Sequence, residues 1–384
     1  MRAMNKKDRS ERKRRVYIAM SGGVDSSVAA ALLKKQGHGV VGVFMKPWQP
    51  KGTICLWEKD REDALRAAAV IGIPFKTWDF SREYKKSVTD YMIREYKAGR
   101  TPNPDVMCNK EIKFGSFLKK ALKEGADHIA TGHYVRLRRH NPNIRMNTNA
   151  PNSRHSDKFI DSHYELMQAK DKNKDQSYFL WTLTPEQLKY CLFPIGDYLK
   201  PDVRKLAKKF GLPNHAKKDS QGVCFIGPLD MKEFLKKYIK PKKGKIIYLP
   251  IRTNRPIDNR AGKMMGSHDG IYYYTIGQRH GLDIKAGAGP YYVIGKDIKN
   301  NIIYVGDDAS AISDSAKISD INWISPVNLP AKFDVRVRYR APLHKAMLSK
   351  DGKLKFSKPE RAVTSGQSAV FYSRGQLIGG GIIL

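Results

Sequence analysis

The sequence predicts an α/β protein: a doubly wound parallel sheet, then a small connector domain, then a C-terminal β-barrel. Three observations carry that expectation. Short apolar runs alternate with amphipathic helical stretches as far as Tyr134. A glycine- and serine-rich loop follows the first run, and beyond Lys245 the pattern changes to short strands punctuated by Gly, Asn, Asp and Pro.

Residues 16–20 read as the first buried strand and 27–36 as the following helix, closed by Gly37. A strand at 40–45, a helix at 62–71 stopped by Gly72, and a strand at 75–80 repeat the unit. Ser81 is placed to cap the next helix, along which Tyr84, Val88, Tyr91 and Tyr96 recur at helical spacing up to Gly99. A helix at 111–124 and a strand at 127–131 lead into Gly132, His133 and Tyr134. Such repetition puts ligands at the carboxyl ends of the strands. Residues 138–162 lose this periodicity to Asn, Arg, His and Ser and read as a surface insertion. Helical patterns return at 185–191 and 201–210; after the Lys-rich stretch 236–245, strands are expected at 246–249, 270–276, 291–294, 302–305, 333–340, 369–372 and 378–383. The expected domains are 1–222, with a basic tail at 1–15, then a small central unit at 223–285, and 286–384 for the barrel.

The 384 residues carry 71 Lys and Arg against 37 Asp and Glu, a formal charge of +34, and 41% of them are apolar. That apolar share supports a folded core, and the charge favours a polyanionic partner such as nucleic acid. No apolar run approaches the roughly 20 residues of a membrane helix. The five apolar residues after the basic tail are too few for a secretory signal. The expectation is a cytoplasmic chain with no membrane partner. Cys55, Cys108, Cys191 and Cys224 lack metal-type spacing, so no metal site is expected. Cys55 and Cys191 default to structural roles.

The sharpest signal is Ser21-Gly22-Gly23-Val24-Asp25-Ser26-Ser27, between a strand and a helix. Glycines let the backbone approach an anion, the helix start offers unpaired N–H groups, and three hydroxyls add donors. The loop lacks the Gly-Lys-Ser/Thr ending of the Walker type. It resembles the pyrophosphate loop of ATP pyrophosphatases, which activate a carbonyl oxygen with AMP, and alone it does not choose among them. Two cysteine segments narrow the field. In Thr101-Pro102-Asn103-Pro104-Asp105-Val106-Met107-Cys108-Asn109-Lys110, the thiol precedes the helix expected from 111 and adjoins Lys110, both of which favour thiolate. Asp105 is close enough in sequence to exchange a proton with the same substrate. The second segment is Asp219-Ser220-Gln221-Gly222-Val223-Cys224-Phe225-Ile226-Gly227. On the 333–340 strand, alternation puts Arg336, Arg338 and Arg340 on one face, a natural phosphate track or a solvated one.

These segments, with Phe44-Met45-Lys46-x-Trp48, ATGHY at 130–134, KDQSYFL at 174–180, Gly277-Gln278-Arg279 and GQSAVFY at 366–372, resemble the tRNA-specific 2-thiouridylase family over nearly the whole chain. Members of that family exchange the C2 oxygen of the wobble uridine for sulfur in tRNAs for Lys, Glu and Gln. The resemblance implies ATP, with its Mg²⁺, held by Ala19, Met20, Ser21, Gly22, Gly23, Val24, Asp25, Ser26 and Met45, with Gly132 against the nucleotide. Asn103, Pro104 and Asp105 would hold the target base. Cys108 would be the nucleophile and Cys224 the persulfide carrier, forming a disulfide with Cys108 during the reaction. Lys174, Asp175, Gln176, Arg338 and Tyr339 would touch tRNA, and His133 and Gln367 match positions linked to its recognition. A cysteine desulfurase or a sulfur-relay protein would supply the sulfur. The competing readings are an amidoligase or tRNA lysidine synthetase, which need no cysteine pair, and a non-catalytic RNA-binding protein. Two motif cysteines fall short of the roughly four ligands of an iron–sulfur cluster.

Overall fold

Val16, Tyr17 and Ile18 are completely buried because their strand lies at the centre of a parallel sheet covered on both faces. The computed structural model describes residues 13–50, 57–139, 164–219, 230–249, 262–284, 289–307, 310 and 312–384. Its first domain holds β1 (Arg15–Ala19), β2 (Gly39–Lys46), β3 (Phe75–Asp79), β4 (His128–Ala130), β5 (Val135–Arg139), β6 (Tyr164–Gln168) and β7 (Cys191–Leu192). Five of these form the sheet in the order β3-β2-β1-β4-β7, every pair parallel. The expected helix at 185–191 stops at Leu188, and Cys191 begins an edge strand instead. A two-residue strand carries too little pattern to stand out in sequence.

Helix Val24–Lys35 follows β1 with Asp25 in its first turn and Lys34 and Lys35 in its last, matching the helix dipole. Its alanines and leucines pack with Ala64, Ala67 and Ala68 of helix Trp57–Ile71. The 81–97 helix contains a π-wound stretch, Lys85–Thr89. The helix expected from 111 begins at Pro104 instead, with the Asn103 side chain accepting from Val106 N at 3.2 Å, and it is π-wound over Cys108–Ser116. Proline at the first helical position and asparagine at the cap are the residues that start helices. The described flanks of the expected insertion, β5 and β6, form an antiparallel hairpin; the rest of 138–162 lies outside the described residues, as does most of the basic tail.

The central sheet comprises β8 (Gly244–Tyr248), β9 (Lys263–His268), β10 (Tyr292–Asp297) and β11 (Ile302–Gly306), in the order β10-β11-β8-β9. β10 and β11 were expected inside the barrel from 286 and belong here, because β11 pairs in parallel with β8. The strand expected at 270–276 is a 3₁₀ turn, Ile271–Tyr273. Its Tyr273 hydroxyl donates to Ile239 O at 2.5 Å, which ties this apolar run to the end of helix Met231–Lys236 rather than to a neighbouring strand.

The C-terminal domain is β12 (Ile312–Trp323), β13 (Ala331–Arg336), β14 (His344–Leu348), β15 (Lys353–Arg361), β16 (Ser368–Ser373) and β17 (Gln376–Ile383). The order β12-β15-β14-β13-β16-β17, with β17 pairing back onto β12, closes a six-stranded antiparallel barrel. β17 also meets β6 at Gln376 and Met167, so the first domain's hairpin extends the barrel sheet. Ile324, Val370, Tyr372 and Leu377 share one buried cluster with Tyr178, Leu180, Trp181 and Leu183 of the first domain.

Candidate active site

The glycine loop leaves β1 at Ala19 and turns at Gly22, whose φ of 75° belongs to the left-handed region. A Cβ on Gly22 would lie 2.1 Å from Asp60 O, so both conformation and space demand glycine there. Gly23 is the N-cap and offers no side chain to the first-turn amides of a twelve-residue helix. Those N–H groups are available to an anion. Within the loop, Ser26 Oγ and Ser27 Oγ donate to Gly23 O, both at 3.1 Å, and Ser21 N donates to Ser26 Oγ at 3.2 Å. Asn214 Nδ2 donates to Gly22 O and Ser27 Oγ, both at 3.0 Å, and fixes the turn from outside. Gly132 presses against the same loop: a Cβ there would sit 2.7 Å from Ser26 N.

An ionic chain runs from the loop. Lys200 Nζ, on a side chain only 10% exposed, lies 2.7 Å from Asp25 Oδ1 and 2.8 Å from Asp219 Oδ1. Lys174 Nζ and Arg204 Nη2 reach Asp219 at 2.7 and 2.9 Å. Burial alone would raise the Asp219 carboxyl; bonds from Lys174 and Lys200 outweigh it and bring it down to about 2. The Tyr134 hydroxyl donates to Asp25 at 2.9 Å, and burial plus that carboxylate push its pKa far up. Asp219 and Tyr134 stand inside quoted motifs but are given no role there, and Lys200, Arg204 and Asn214 carry no signal that sequence patterning could have weighed. They converge only because the strands and the Lys200–Lys209 helix bring them together.

A cleft of about 550 Å³ opens where the three domains meet. Asn103, Pro104 and Asp105 line it from the first domain, Met231, Tyr274 and Gln278 from the central domain, and Arg338 and Gln367 from the barrel. Thr101 joins all three. Its N–H donates to Ser365 O at 2.8 Å, its hydroxyl lies 3.2 Å from Thr275 Oγ1, and its carbonyl accepts from Gln367 Nε2 at 2.8 Å. Gly366, at φ 90°, packs on the Thr101 backbone with no room for a Cβ.

With this geometry in place, relatives can be compared. Family profiles match end to end: one described as a tRNA methyl transferase HUP domain over 14–228, a tRNA methyl transferase PRC-barrel domain over 232–307, and an aminomethyltransferase β-barrel domain over 313–383. The tRNA-specific 2-thiouridylase MnmA of Geobacillus thermodenitrificans is 44% identical, covering 96% of this chain and 94% of its own. The enzyme of the same name from Lysinibacillus sphaericus is 42% identical with the same coverage. The chain belongs to the tRNA-specific 2-thiouridylase MnmA family. Among solved structures, a U34-tRNA thiolase, NcsA, from Methanococcus maripaludis matches with 17% identity and a TM-score of 0.35, covering 59% of this chain and 67% of that one.

Seen as an MnmA-family chain, the predicted residues fall into three groups. Ala19 to Ser26 and Gly132 form the loop just described, whereas the Met45 side chain packs in the core beside Trp78. Asn103, Pro104, Asp105, Arg338 and Gln367 meet in the cleft. Cys108 lies behind that wall: it is completely buried, five residues beyond the cap, and so past the helix start that would have favoured its thiolate. Cys224 and Cys55 lie outside the described residues. No disulfide occurs among the described residues, and Cys191 is buried with its thiol donating to Gln187 O at 3.2 Å.

In the third group Asp175 and His133 are buried, and Gln176 and Tyr339 are half-buried. Asp175 accepts from Gln168 Nε2, Ala169 N, Ser177 N and Ser177 Oγ at 2.9–3.3 Å, and Arg336 Nη1 approaches at 3.4 Å. Arg336 therefore leaves the expected arginine row: β13 ends there, its side chain is 12% exposed, and only Arg338 and Arg340 face outward. His133 is bonded to Thr131 Oγ1 at 2.7 Å and ringed by Phe114 and Phe193; burial, with the charge of Lys113, holds its pKa well below the usual imidazole range. Gln176 accepts from Tyr134 N at 3.0 Å, and the Tyr339 ring packs at a 45° tilt on Phe179, centroids 4.4 Å apart. No described helix is long and apolar enough to cross a membrane, and no described group of three or more His, Cys, Asp or Glu could hold a metal.

Proposed function

We propose that this chain converts the C2 oxygen of the wobble uridine of tRNAs for Lys, Glu and Gln to sulfur, using ATP, and does so in the cytoplasm. The observation that carries the reading is the three-domain cleft, which joins the Asn103–Asp105 turn to two polar barrel residues directly in front of the Cys108 helix. The loop fits ATP on its own geometry: uncapped amides at the start of a long helix, a glycine turn no side chain could occupy, and Ser21 exposed at its mouth. A divalent cation would come with the phosphates, as Mg²⁺ usually does. When bound, ATP supplies an electrophilic α-phosphorus and a pyrophosphate leaving group.

The chain's part is to hold and to align. The first-turn amides hold the departing phosphates. Asn103 and Pro104 seat the flipped base, and Asp105 takes and returns its ring proton. The base O2 displaces pyrophosphate and becomes an AMP ester. The terminal sulfur of a Cys224 persulfide then attacks C2 and AMP leaves; the Cys108 thiolate takes the inner sulfur, giving a Cys108–Cys224 disulfide for an external thiol to reduce. The residues flanking the Cys224 segment support this role, since Asp219 belongs to the ionic chain at the loop and Asp230 to the cleft wall. The persulfide comes from a cysteine desulfurase or relay protein. Asp175 and His133, being buried, act by positioning Lys174, Gln176 and the Gly132 turn. Lys174, Arg338, Tyr339 and Gln367 lie on the path of the RNA.

The test incubates the full chain with ATP, Mg²⁺, cysteine and a cysteine desulfurase as the persulfide source, and an anticodon stem–loop. The expected result is AMP, pyrophosphate and RNA heavier by an oxygen-to-sulfur exchange, with the exchange lost in Cys108→Ser. Attachment of an amine to the RNA instead would give the reading to the amidoligase class; RNA binding without pyrophosphate release would give it to a passive binder.

A further inference from the structure

Asn103 lines two hollows. Behind the 104–107 turn, away from the three-domain cleft, a second one of about 320 Å³ lies between the 81–97 helix and β12. We infer that it is a subsite for the nucleotide next to the target base. The inference rests on the tRNA reading above and adds a contact that reading does not contain.

The lining has the chemistry of a nucleotide site. Arg94 is 67% exposed and approaches Glu95 only at 3.8 Å, because Glu95 is already held by Arg100 at 2.6 Å. Its guanidinium lies 5.5 Å from the Tyr91 ring centroid, the arrangement on which a base can stack beside a phosphate contact. Lys110 is half exposed, with Glu111 at 3.6 Å. Thr182 is 9% exposed, lines the hollow, and its Oγ1 has no partner although buried. An unpaired buried hydroxyl costs free energy unless something fills the space beside it. Asp320 stands at φ 48° where a bulge interrupts the β12–β17 pairing between Ser319 and Asn322. Its carboxylate accepts from Ser319 Oγ at 3.1 Å and repels phosphate, but accepts an N–H from a base edge. The phosphate therefore lies toward Arg94 and Lys110, and the base edge toward Asp320 and Thr182. The volume suits one nucleoside.

The experiment measures binding of the full chain to a fluorescent anticodon stem–loop between 50 and 200 mM salt. Arg94→Gln and Lys110→Gln should each weaken binding about 3–10-fold and flatten the log–log salt slope by about 0.7, the value for one single-strand phosphate contact. Tyr91→Ala should cost about 5–100-fold, and Tyr91→Phe, which keeps the ring, should bind like the parent. An abasic nucleotide on one side of the target uridine should remove the difference between Tyr91→Ala and the parent. Lys123→Gln, at the opposite, amino-terminal edge of the parallel sheet, controls for net charge. The subsite is overturned if the three variants bind like Lys123→Gln, or if the abasic effect is the same in all chains. It is also overturned if they bind RNA normally but lose turnover only with a protein sulfur donor, which would make the hollow a donor dock. A parent chain that binds no stem–loop would sink the tRNA reading itself.

Discussion

Replacing Asp175 separates two roles for a residue that sequence resemblance places on the RNA. Its side chain is 1% exposed and its two oxygens take four hydrogen bonds plus the Arg336 guanidinium. In Asp175→Asn one oxygen keeps the Ala169 and Ser177 amides, while the new NH₂ faces Gln168 Nε2 and Arg336, both donors. That breaks a buried ion pair and leaves the guanidinium uncompensated, a loss of about 3–5 kcal/mol. Arg336→Met leaves the carboxylate with its four neutral donors and removes a long contact to it, together with the guanidinium's place 5.7 Å from the Tyr372 ring centroid, so about 1–3 kcal/mol is expected. At about 2–4 °C per kcal/mol, thermal unfolding should fall by about 6–20 °C in Asp175→Asn and by distinctly less in Arg336→Met. Differential scanning fluorimetry gives both values. Stem–loop affinity, measured well below either transition, should change less than about threefold if this site is structural, the scale of a surface substitution away from the ligand. An Asp175→Asn chain that melts like the parent but loses RNA affinity would refute the positioning role.

Gly132→Ala drives a Cβ into the Ser26 and Asp25 backbone at 2.7–2.8 Å, which cannot yield cheaply; about 1–3 kcal/mol of stability should be lost, with ATP affinity by calorimetry down at least about tenfold. His133 stays neutral when folded but takes a proton when unfolded, so its share of stability is lost as pH falls below 6.5. By NMR its ring protons should not titrate between about pH 5 and 8. Asp219, lowered from 3.8 to about 2, has the same sign at lower pH: its contribution is intact above 3.8 and fades toward 2. Asp219→Asn should flatten that acid limb of the pH–stability curve, and an unchanged limb would mean the carboxylate is not held by Lys174 and Lys200.

What was legible in the sequence was local. Two glycines before an alanine-rich helix need no tertiary context to declare a strand–loop–helix turn, and the structure builds that turn from those residues. Asn103-Pro104, an N-cap and a first-turn proline, marks the helix start at Pro104, seven residues before the Glu111 at which the sequence reading begins the helix. The barrel strands β12, β14 and β15 escaped because lysine, serine and aspartate dominate their outward positions: β15 reads KLKFSKPER, with Leu354 and Phe356 its inward anchors. Arg336 and Arg338 share one face by alternation, yet strand β13 ends between them, and one neutralises a buried aspartate while the other lines the cleft. Periodicity gives a side chain its face and says nothing of what covers that face.

The same distinction explains why the cleft needs every domain. The first domain cannot bury Tyr178, Leu180 and Trp181 alone, since their partners Val370, Tyr372 and Leu377 come from the barrel. Trp181 Nε1 donates to Ser368 Oγ at 2.9 Å, and Gly380 lacks the Cβ that would strike the Trp181 side chain. A shared core of this kind fixes the barrel against the first domain with the rigidity of a protein interior. Thr101 transfers that rigidity to the cleft, because the residue two positions before Asn103 is bonded at its N–H and carbonyl to the barrel and at its hydroxyl to the central domain. The turn Asn103–Asp105 is thus held from outside its own domain. A turn so held keeps Asp105 in one cleft wall with Arg338 and Gln367, residues more than two hundred positions away in the chain.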